Sequence, residues 1–370
     1  MDQKKALFLP FMQIPTGHHH VADALINEIK TTHKDIVCDK VDILSYSYGG
    51  VEKVVSSTYL AWIRKFPDVY DWLYKQAAYK KTSPHNRQYL YETMFTYFLK
   101  RLTNQQNPSV LFCTHALPSN IAAVLKKKNK LQSITVNVYT DFFINRIWGI
   151  DGIDYHMVPT VSVKEYLLEK GVAEKRIFIT GIPIHQVFHS GQEQQTKDEG
   201  ISVLVTGGSL GVGAIRKLLN YSHSDRIHYY VLCGKNEVLY EQLLRKDKPT
   251  VTPLPYITSK EEMNLLYNKV DAVLTKPGGV TVSECLMKRK PIFVYDPLPG
   301  QEKINVNQLN QIGVVFTVDL ENNLLEEQIL DFFCDERKQC IYRQKVDAYH
   351  RNLDERPLSL LIEEIIQKKH

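Results

Sequence analysis

The side chains and turns best suited to chemistry lie between positions 275 and 305, in the sequence TKPGGVTVSECLMKRKPIFVYDPLPGQEKIN. A short apolar strand, predicted at 272–274, leads into the Gly278-Gly279 turn, and a helix is predicted to follow. A second strand, predicted at 291–296, leads into a second polar turn at 299–302. Glycine turns and helix N-termini leave backbone N–H groups unpaired, and those groups attract anions. The pattern therefore predicts an anion site at one edge of a sheet.

Polar side chains accompany both turns, and their types indicate what the anion belongs to. They are Lys276, Thr281, Ser283, Glu284, Gln301, Glu302 and Asn305. Three of them, from Thr281 to Glu284, are predicted in the first turn of the helix. A carboxylate such as Glu284 suits a ribose diol better than a phosphate. We therefore predict a nucleotide diphosphate bound by backbone N–H groups, with its ribose bound by an acid. Two ordinary strand-to-helix turns would also carry Gly and Pro at these positions.

Segment 275–305, with its KPGG…SE pair followed by PGQE…N, resembles the donor-binding motif of the monogalactosyldiacylglycerol synthase-like glycosyltransferases of family 28. Within that family it is most similar to the bacterial processive diacylglycerol glucosyltransferases. The resemblance extends from Leu7-Phe8 through the final helices. It implies an α/β fold of two doubly wound, Rossmann-like domains with a central cleft, which is the GT-B glycosyltransferase architecture.

Length and patterning are compatible with that architecture. A chain of 370 residues is long enough for two domains. Apolar strands alternate with helices, which favours parallel sheets covered on both faces. Strands are predicted at 5–11, 36–44, 110–115, 133–139 and 177–180, and then at 202–206, 229–232, 251–257, 272–274, 292–295 and 314–318. Helices are predicted at 19–31, 163–170, 325–334, 337–351 and 358–368, among others.

The domain boundaries follow from the polar stretch HSGQEQQTKDEG. We predict an N-terminal acceptor-binding domain at 1–188, a linker at 189–200 and a C-terminal nucleotide-sugar-binding domain at 201–345. The resemblance implies that the last helix, at about 346–370, completes the first domain.

Cysteine usage and hydropathy indicate where such a protein works. The six cysteines have neither paired nor metal-ligand spacing, and no signal peptide precedes them, so we expect reduced thiols in a cytoplasmic protein. No apolar run approaches the ~18 residues that a membrane-spanning helix needs. Any membrane contact is therefore expected to be peripheral, on the inner face of the cell membrane.

Basic and aromatic residues are interleaved between Tyr59 and Arg101, although the net charge of the whole chain is only +5. Such helices suit an anionic membrane surface, where Lys and Arg meet headgroups and aromatic rings lie below them. A nucleic-acid surface would also use this pattern, and simple packing of the rings against a domain would produce it as well. The family resemblance favours the membrane surface, and no nucleic-acid partner is expected.

The second domain begins with a further glycine turn, VLVTGGSLGVG, in which Gly207-Gly208-Ser209 follows a predicted strand. Small residues let a backbone approach a phosphate closely, but a plain tight turn would also use them. By resemblance, Ser209 and Thr281 contact the diphosphate, Glu284 the ribose, and Gln301 with Glu302 the sugar hydroxyls, while Tyr256-Ile257 border the uracil. The full set of predicted donor-binding residues is Gly208, Ser209, Tyr256, Ile257, Lys276, Gly278, Gly279, Thr281, Glu284, Gln301, Glu302, Asn305 and His185.

The first domain begins with Pro15-Thr16-Gly17-His18-His19-His20, at the end of the first strand. A neutral histidine near pH 7 can take the proton from an acceptor hydroxyl as it attacks a sugar. The family has a Gly-His pair here, so we predict His18 as the catalytic base. Asp141 is either a rival base or the carboxylate that orients His18. A metal site, a tag or a simple capping histidine would also account for parts of this run.

Two positions depart from the family pattern. His185 follows Gly181-Ile182-Pro183-Ile184, where relatives usually carry Arg, and Asn145 stands where relatives tend to have His. Gly17, Asn145 and Trp148 are predicted on the acceptor side.

These observations together predict an inverting, metal-independent hexosyltransferase. We expect it to move a hexose, with glucose from UDP-glucose as the favoured donor, to a lipid hydroxyl such as that of diacylglycerol. The UDP-sugar is the donor substrate and no cofactor is expected. A transferase with a soluble acceptor, a nucleotide-sugar 2-epimerase and a catalytically weak UDP-sugar sensor are the alternatives.

Overall fold

The computed structural model describes residues 4–11, 17–43, 46, 88–189, 200–207, 225–318 and 325–367, with the side chains of 88–94 left out. The chain divides into two compact units. The first is formed by Met1–His185 together with Asn352–His370, and the second by Gln186–Arg351. The second unit is therefore a continuous segment inserted into the sequence of the first.

The first unit contains a parallel sheet. Its described strands are β1 (Lys5–Leu9), β2 (Val37–Lys40), β3 (Val110–Cys113), β4 (Ile134–Val138), β5 (Tyr155–Val158) and β6 (Ile177–Ile179). Their order across the sheet is β2-β1-β3-β4-β5-β6. All residues of β3, β4 and β5 are buried, as expected for central parallel strands covered on both faces.

Helices connect and cover these strands. In the first unit the described ones that precede the second unit are α1 (Gly17–Thr32), α2 (Gln88–Gln106), α3 (Ala116–Lys127) and α4 (Val161–Glu169). The first unit also takes the last described helix of the chain, Leu358–Gln367, which packs against α1. Nε2 of His33, the residue just after α1, lies 3.4 Å from the carbonyl oxygen of Ser359. The strongly amphipathic sequence of that last helix, LSLLIEEIIQ, buries Leu361, Ile362, Ile365 and Ile366.

The second unit has the same plan. Its described strands are β7 (Ile201–Thr206), β8 (Ile227–Leu232), β9 (Val251–Leu254), β10 (Ala272–Thr275), β11 (Ile292–Tyr295) and β12 (Phe316–Val318). They are ordered β12-β11-β10-β7-β8-β9 and paired in parallel. Its described α-helices are α5 (Glu237–Lys246), α6 (Lys260–Lys269), α7 (Gly279–Met287), α8 (Gln301–Ile312), α9 (Leu325–Cys334) and α10 (Glu336–Arg351), so that the helix at Leu358–Gln367 is α11.

Each sheet reverses its direction of winding once. In the first sheet the chain adds β2 on one side of β1 and then β3 on the other. In the second it adds β8 and β9 on one side of β7 and then β10 on the other. Ligands of doubly wound sheets bind beyond the carboxyl ends of the strands at such a reversal. Sites are therefore expected at the carboxyl ends of β1 and β3 in the first sheet, and of β7 and β10 in the second.

Several sequence predictions of strand length need correction. The strand predicted at 5–11 ends at Leu9, and the one predicted at 251–257 ends at Leu254. In both cases the extra residues belong to the turn at the carboxyl edge of the sheet. β5 was missed altogether, because the buried His156 interrupts its apolar pattern. β9 contains Pro253 and lies at a sheet edge, where the missing N–H is tolerated.

The unit boundaries differ from the predicted domain boundaries by a few residues. The second unit begins at Gln186 and keeps all of α10, so the first unit resumes at Asn352 and not at about 346. Most of the predicted linker, 190–199, lies outside the described residues. No helix in the described part of the chain is long and apolar enough to cross a membrane.

Candidate functional site

His18 lies in the first turn of α1, the first described helix after β1. Its Nδ1 is 2.9 Å from the carbonyl oxygen of Thr114 and 3.0 Å from Oγ1 of Thr140. Thr114 follows β3 and Thr140 follows β4, and β1, β3 and β4 are neighbours in the sheet. Three adjacent strand ends therefore hold one imidazole ring at the reversal point of the first sheet.

These contacts determine the tautomer of His18. A carbonyl oxygen can only accept a hydrogen bond, so Nδ1 carries the hydrogen and the lone pair is on Nε2. Burial lowers the pKa of His18 to about 4, although the bond to the Thr114 carbonyl opposes this shift. The ring is thus neutral at pH 7. A neutral ring with a fixed Nε2 lone pair has the form that a general base requires.

Nδ1 of His18 thus has a backbone carbonyl and a threonine hydroxyl within hydrogen-bond distance. The predicted role of Asp141, either as a rival base or as the carboxylate that orients His18, stays a prediction.

His115 is a second histidine at this strand end, and the sequence motifs did not identify it. It caps α3, and its Nδ1 accepts a hydrogen bond from the backbone N–H of Leu117 at 3.2 Å. Its ring lies edge-on to His18, with 4.7 Å between centroids, and stacks on Phe11. Burial and the nearby His18 hold its pKa well below the ordinary value. Its position just after β3, the neighbour of β1, was the signal that could have identified it.

The loop that carries Asn145 and Trp148 is held by buried contacts. Trp148 is 7% exposed and packs on Tyr139 with ring centroids 4.6 Å apart. Asn137 in β4 donates through Nδ2 to the carbonyl of Gly149 at 2.7 Å. Asn145 accepts from the N–H of Ile147 and so closes a local turn. Trp148 therefore anchors the loop from the core, and the acceptor-side roles of Gly17, Asn145 and Trp148 stay predictions.

The Gly278-Gly279 turn lies at the reversal point of the second sheet, after β10. Gly278 is the N-cap of α7 and no side chain caps the helix there. A Cβ placed on Gly278 would meet no atom within 4 Å. The N-terminus of α7, from Gly279 to Thr281, therefore presents backbone N–H groups beside open space, which is the arrangement that attracts an anion.

The second polar turn packs directly against this one. Asn305 in α8 donates through Nδ2 to the carbonyl of Pro277 at 3.2 Å. The ammonium of Lys276 lies 3.9 Å from Oε2 of Glu302, which also accepts from the N–H of Leu298 at 2.7 Å. Burial raises the pKa of Glu302 and Lys276 opposes that rise. The structure thus joins the two turns that the sequence placed side by side, with Gln301 as the first residue of α8.

Glu284 lies further along α7 than predicted. Because α7 begins at Gly279, Ser283 and Glu284 lie in its second turn and not its first. The Glu284 side chain is largely buried, and the hydroxyl of Tyr267 donates to its Oε2 at 2.9 Å. The ammonium of Lys260 is 3.8 Å from its Oε1. Burial raises the pKa of Glu284, while Lys260 and then Tyr267 lower it. The sequence motifs identified neither Tyr267 nor Lys260.

The predicted uracil-binding residues follow β9. Tyr256 is 39% exposed and Ile257 is half-buried. Lys235, which follows the neighbouring strand β8, places its ammonium 5.4 Å from the centroid of the Tyr256 ring. An exposed aromatic ring can stack on a base, and the ammonium beside it can attract a phosphate. Lys235 was also missed, although its place after a strand of the same sheet could have indicated it.

Three predicted donor residues cannot be assigned to this cluster. Gly208 and Ser209 lie outside the described residues. His185 is the last residue before the second unit begins, and its donor role stays a prediction. Within the described ranges, no group of three or more His, Cys, Asp or Glu side chains could hold a metal ion.

Comparison with known proteins identifies the class of molecule that carries these two sites. The family model for monogalactosyldiacylglycerol (MGDG) synthase matches residues 18–184. The uncharacterized glycosyltransferase YkoN of Bacillus subtilis is 40% identical over 99% of this chain and 98% of its own length. A processive diacylglycerol beta-glucosyltransferase of Bacillus pumilus is 27% identical over 95% of this chain and 92% of its own.

Among solved structures, MurG of Acinetobacter baumannii superposes with a TM-score of 0.62 at 15% identity, covering 99% of this chain and 100% of that one. The fold is therefore that of the GT-B glycosyltransferases, and the protein is a glycosyltransferase. It belongs to the monogalactosyldiacylglycerol synthase-like family. The predictions of fold class and of family are confirmed.

Proposed function

We propose that the protein is an inverting hexosyltransferase that moves glucose from UDP-glucose to the hydroxyl of diacylglycerol. The observation that carries the proposal is the neutral His18, whose Nδ1 is bound to the Thr114 carbonyl at 2.9 Å so that Nε2 holds the lone pair. An acceptor hydroxyl is a weak nucleophile, and it needs such a base at the moment it attacks.

In the proposed reaction the acceptor oxygen forms a bond to C1 of the sugar as its proton passes to Nε2 of His18. The bond between C1 and the phosphate oxygen breaks, and UDP leaves with the electron pair. Attack from the face opposite the leaving group inverts the configuration at C1. Because the pKa of His18 is only about 4, proton transfer must accompany bond formation, when the hydroxyl has become acidic.

The second unit would bind and stabilise the departing UDP. The uncapped N-terminus of α7 would face the diphosphate, and preorganised N–H groups stabilise charge that develops as the bond breaks. Lys276 adds a positive charge beside the same turn. Glu284 would accept from the ribose, and Gln301 and Glu302 from the sugar. This route requires no metal ion.

The relatives support the choice of acceptor. The names of the Bacillus pumilus relative and of the family both refer to diacylglycerol, and a β-linked glucoside is the product expected when an α-linked donor is inverted. The basic and aromatic residues between Tyr59 and Arg101 would place the protein at an anionic membrane surface, on the cytoplasmic face.

A donor and acceptor panel tests the proposal. UDP-glucose, UDP-galactose and UDP-N-acetylglucosamine are each supplied with vesicles that contain diacylglycerol, and the anomeric configuration of any glycolipid is read by NMR. We expect β-glucosyl diacylglycerol from UDP-glucose. Transfer only to a water-soluble acceptor would establish the soluble-acceptor function instead. Conversion of the donor to its C2 epimer would indicate an epimerase, and tight UDP-sugar binding without any turnover would indicate a sensor.

A further inference from the structure

Both carboxylate oxygens of Glu284 are engaged by side chains of one neighbouring helix, α6. The hydroxyl of Tyr267 donates to Oε2 at 2.9 Å, and the ammonium of Lys260 lies 3.8 Å from Oε1. Lys260 and Tyr267 are seven residues apart on α6, which corresponds to two helical turns and places them on one face. The pair therefore approaches Glu284 from one face of a single helix.

The surroundings of Tyr267 fix its hydroxyl in place. Its side chain is 1% exposed, and its ring packs edge-on against Phe188 with centroids 5.7 Å apart. The ammonium of Lys260 lies 5.9 Å from the centroid of the same Phe188 ring. A buried ring in contact on this scale has few alternative rotamers. The hydrogen bond to Glu284 is thus built into the core of the second unit.

We propose that Tyr267 and Lys260 are positioning residues that hold Glu284 as a fixed, ionised acceptor for the two adjacent hydroxyls of the nucleotide ribose. The inference rests on the proposed function, in which Glu284 binds the ribose of UDP. Neither residue touches the reacting sugar; both act through the carboxylate.

The need for such support follows from burial. A carboxylate removed from water tends to take up a proton, and burial does raise the pKa of Glu284. A protonated carboxyl has fewer acceptor sites and a donor of its own, so it matches two hydroxyl donors poorly. Lys260 and Tyr267 both lower the pKa of Glu284, the first by its charge and the second by its hydrogen bond.

The test uses calorimetric binding of UDP and of 2′,3′-dideoxy-UDP, which lacks the ribose diol. Tyr267→Phe removes the hydroxyl and keeps the ring on Phe188, so the fold is retained. We expect it to weaken UDP binding roughly three- to tenfold, the range for one hydrogen bond, and to change dideoxy-UDP binding less than about twofold. Lys260→Met, which keeps the aliphatic stem, should act in the same direction. Glu284→Ala sets the upper limit: it should weaken UDP binding by roughly ten- to a hundredfold and leave dideoxy-UDP binding little changed.

Tyr229→Phe is the matched control. Tyr229 is also buried in the second unit, and its hydroxyl donates to Oε1 of another glutamate, Glu326, at 3.2 Å. Its replacement removes an equivalent bond away from Glu284 and should leave the affinity for both nucleotides unchanged.

The outcomes separate this inference from the proposed function. If Tyr267→Phe weakens both nucleotides equally, the residue is only structural and the inference is wrong. The inference is also wrong if the parent prefers UDP to dideoxy-UDP and both variants keep that preference in full. If the parent binds neither nucleotide, the proposed function fails and the inference fails with it.

Discussion

His18 shares its Nδ1 hydrogen between a backbone carbonyl and a threonine hydroxyl, which come from the segments after β3 and β4. Removing the ring removes the proposed base and leaves the donor residues of the second unit intact. We therefore expect His18→Ala to lower kcat by roughly 10²–10⁴ while UDP affinity stays within about twofold.

His33→Ala is a suitable control for that measurement. His33 lies in the same unit, at the other end of α1, where its ring contacts the carbonyl of Ser359. Its replacement should leave kcat near that of the parent. A His18→Ala variant that keeps most of its kcat would transfer the role of base to Asp141 or to water.

The pH dependence of the reaction follows from the same ring. An ordinary histidine base takes up a proton near pH 6.5 and stops acting below it. Burial lowers the pKa of His18 to about 4, so the ring stays neutral, and active as a base, well below 6.5. At saturating donor and acceptor we expect kcat to be flat from about pH 8 to pH 5 and to fall only as pH approaches 4. In kcat/KM a fall at higher pH is expected from the donor-site carboxylates Glu284 and Glu302, because burial raises the pKa of both. A kcat profile with an inflection between 6 and 7 would contradict the assignment of His18.

Sequence patterns identify some of these residues and miss others for a physical reason. His18 and Glu284 stand beside glycine turns at predicted strand ends, where local sequence is informative. The partners of both residues come from distant segments. Thr114 contributes a backbone carbonyl, which any residue type supplies, and Tyr267 looks like an ordinary core residue of an amphipathic helix. Side chains that act through another residue leave no local pattern.

At the scale of secondary structure, a substitution at Gly278 tests whether the N-terminus of α7 binds an anion. Its backbone has φ −72° and ψ 132°, which any residue can adopt, and the space beside it is open. In Gly278→Ala, the lower entropy of the unfolded chain offsets the poorer N-cap, so the free energy of unfolding should change by less than about 0.5 kcal/mol. The added methyl group would occupy the proposed anion site, and UDP binding should weaken by about fivefold or more.

Gly171→Ala provides the contrast, with stability followed by urea unfolding and affinity by calorimetry. Gly171 also has open space beside it, but its φ of +85° disfavours any side chain. That variant should lose about 1 kcal/mol of stability and keep its UDP affinity. Unchanged UDP affinity in Gly278→Ala would remove the α7 N-terminus from the donor site.

The elements themselves are predictable to different degrees. Central strands such as β3 and β10 are short apolar runs because both faces are covered, so their positions are evident from sequence. Their carboxyl ends are less evident from sequence, because the residues just beyond them, such as Tyr139 after β4, are still apolar and buried. β5 was missed because a parallel strand can bury a histidine when another side chain bonds it, as Tyr139 does for His156 at 3.0 Å.

At the scale of the whole molecule, the uneven distribution of charge predicts binding to anionic vesicles. The basic and aromatic residues from Tyr59 to Arg101 lie mostly outside the described residues, so this prediction rests on sequence alone. Each Lys or Arg near such a surface contributes about 1 kcal/mol. The protein should sediment with vesicles rich in anionic lipid, and salt should release it. Reversing Lys80, Lys81 and Arg87 to Glu should abolish sedimentation.

A second triple variant controls for charge alone. Lys127, Lys128 and Lys130 are exposed at the end of α3, and their reversal to Glu changes the net charge by the same amount. That variant should still sediment. Loss of binding in both variants would indicate a general electrostatic effect, and a parent protein that ignores anionic vesicles at low salt would contradict the peripheral membrane role.

The division of the sequence between the two units has a consequence for biosynthesis. Chains generally fold as they emerge from the ribosome, yet α1 is packed against α11, which is translated only after the entire second unit. The second unit is continuous, so it can fold once Arg351 has emerged. The first unit, although it begins the chain, must keep the surface of α1 that receives α11 uncovered throughout that interval. We expect nascent chains that are arrested when Arg351 has emerged from the ribosome, but α11 has not, to have a protease-resistant second unit and a first unit that binds chaperones.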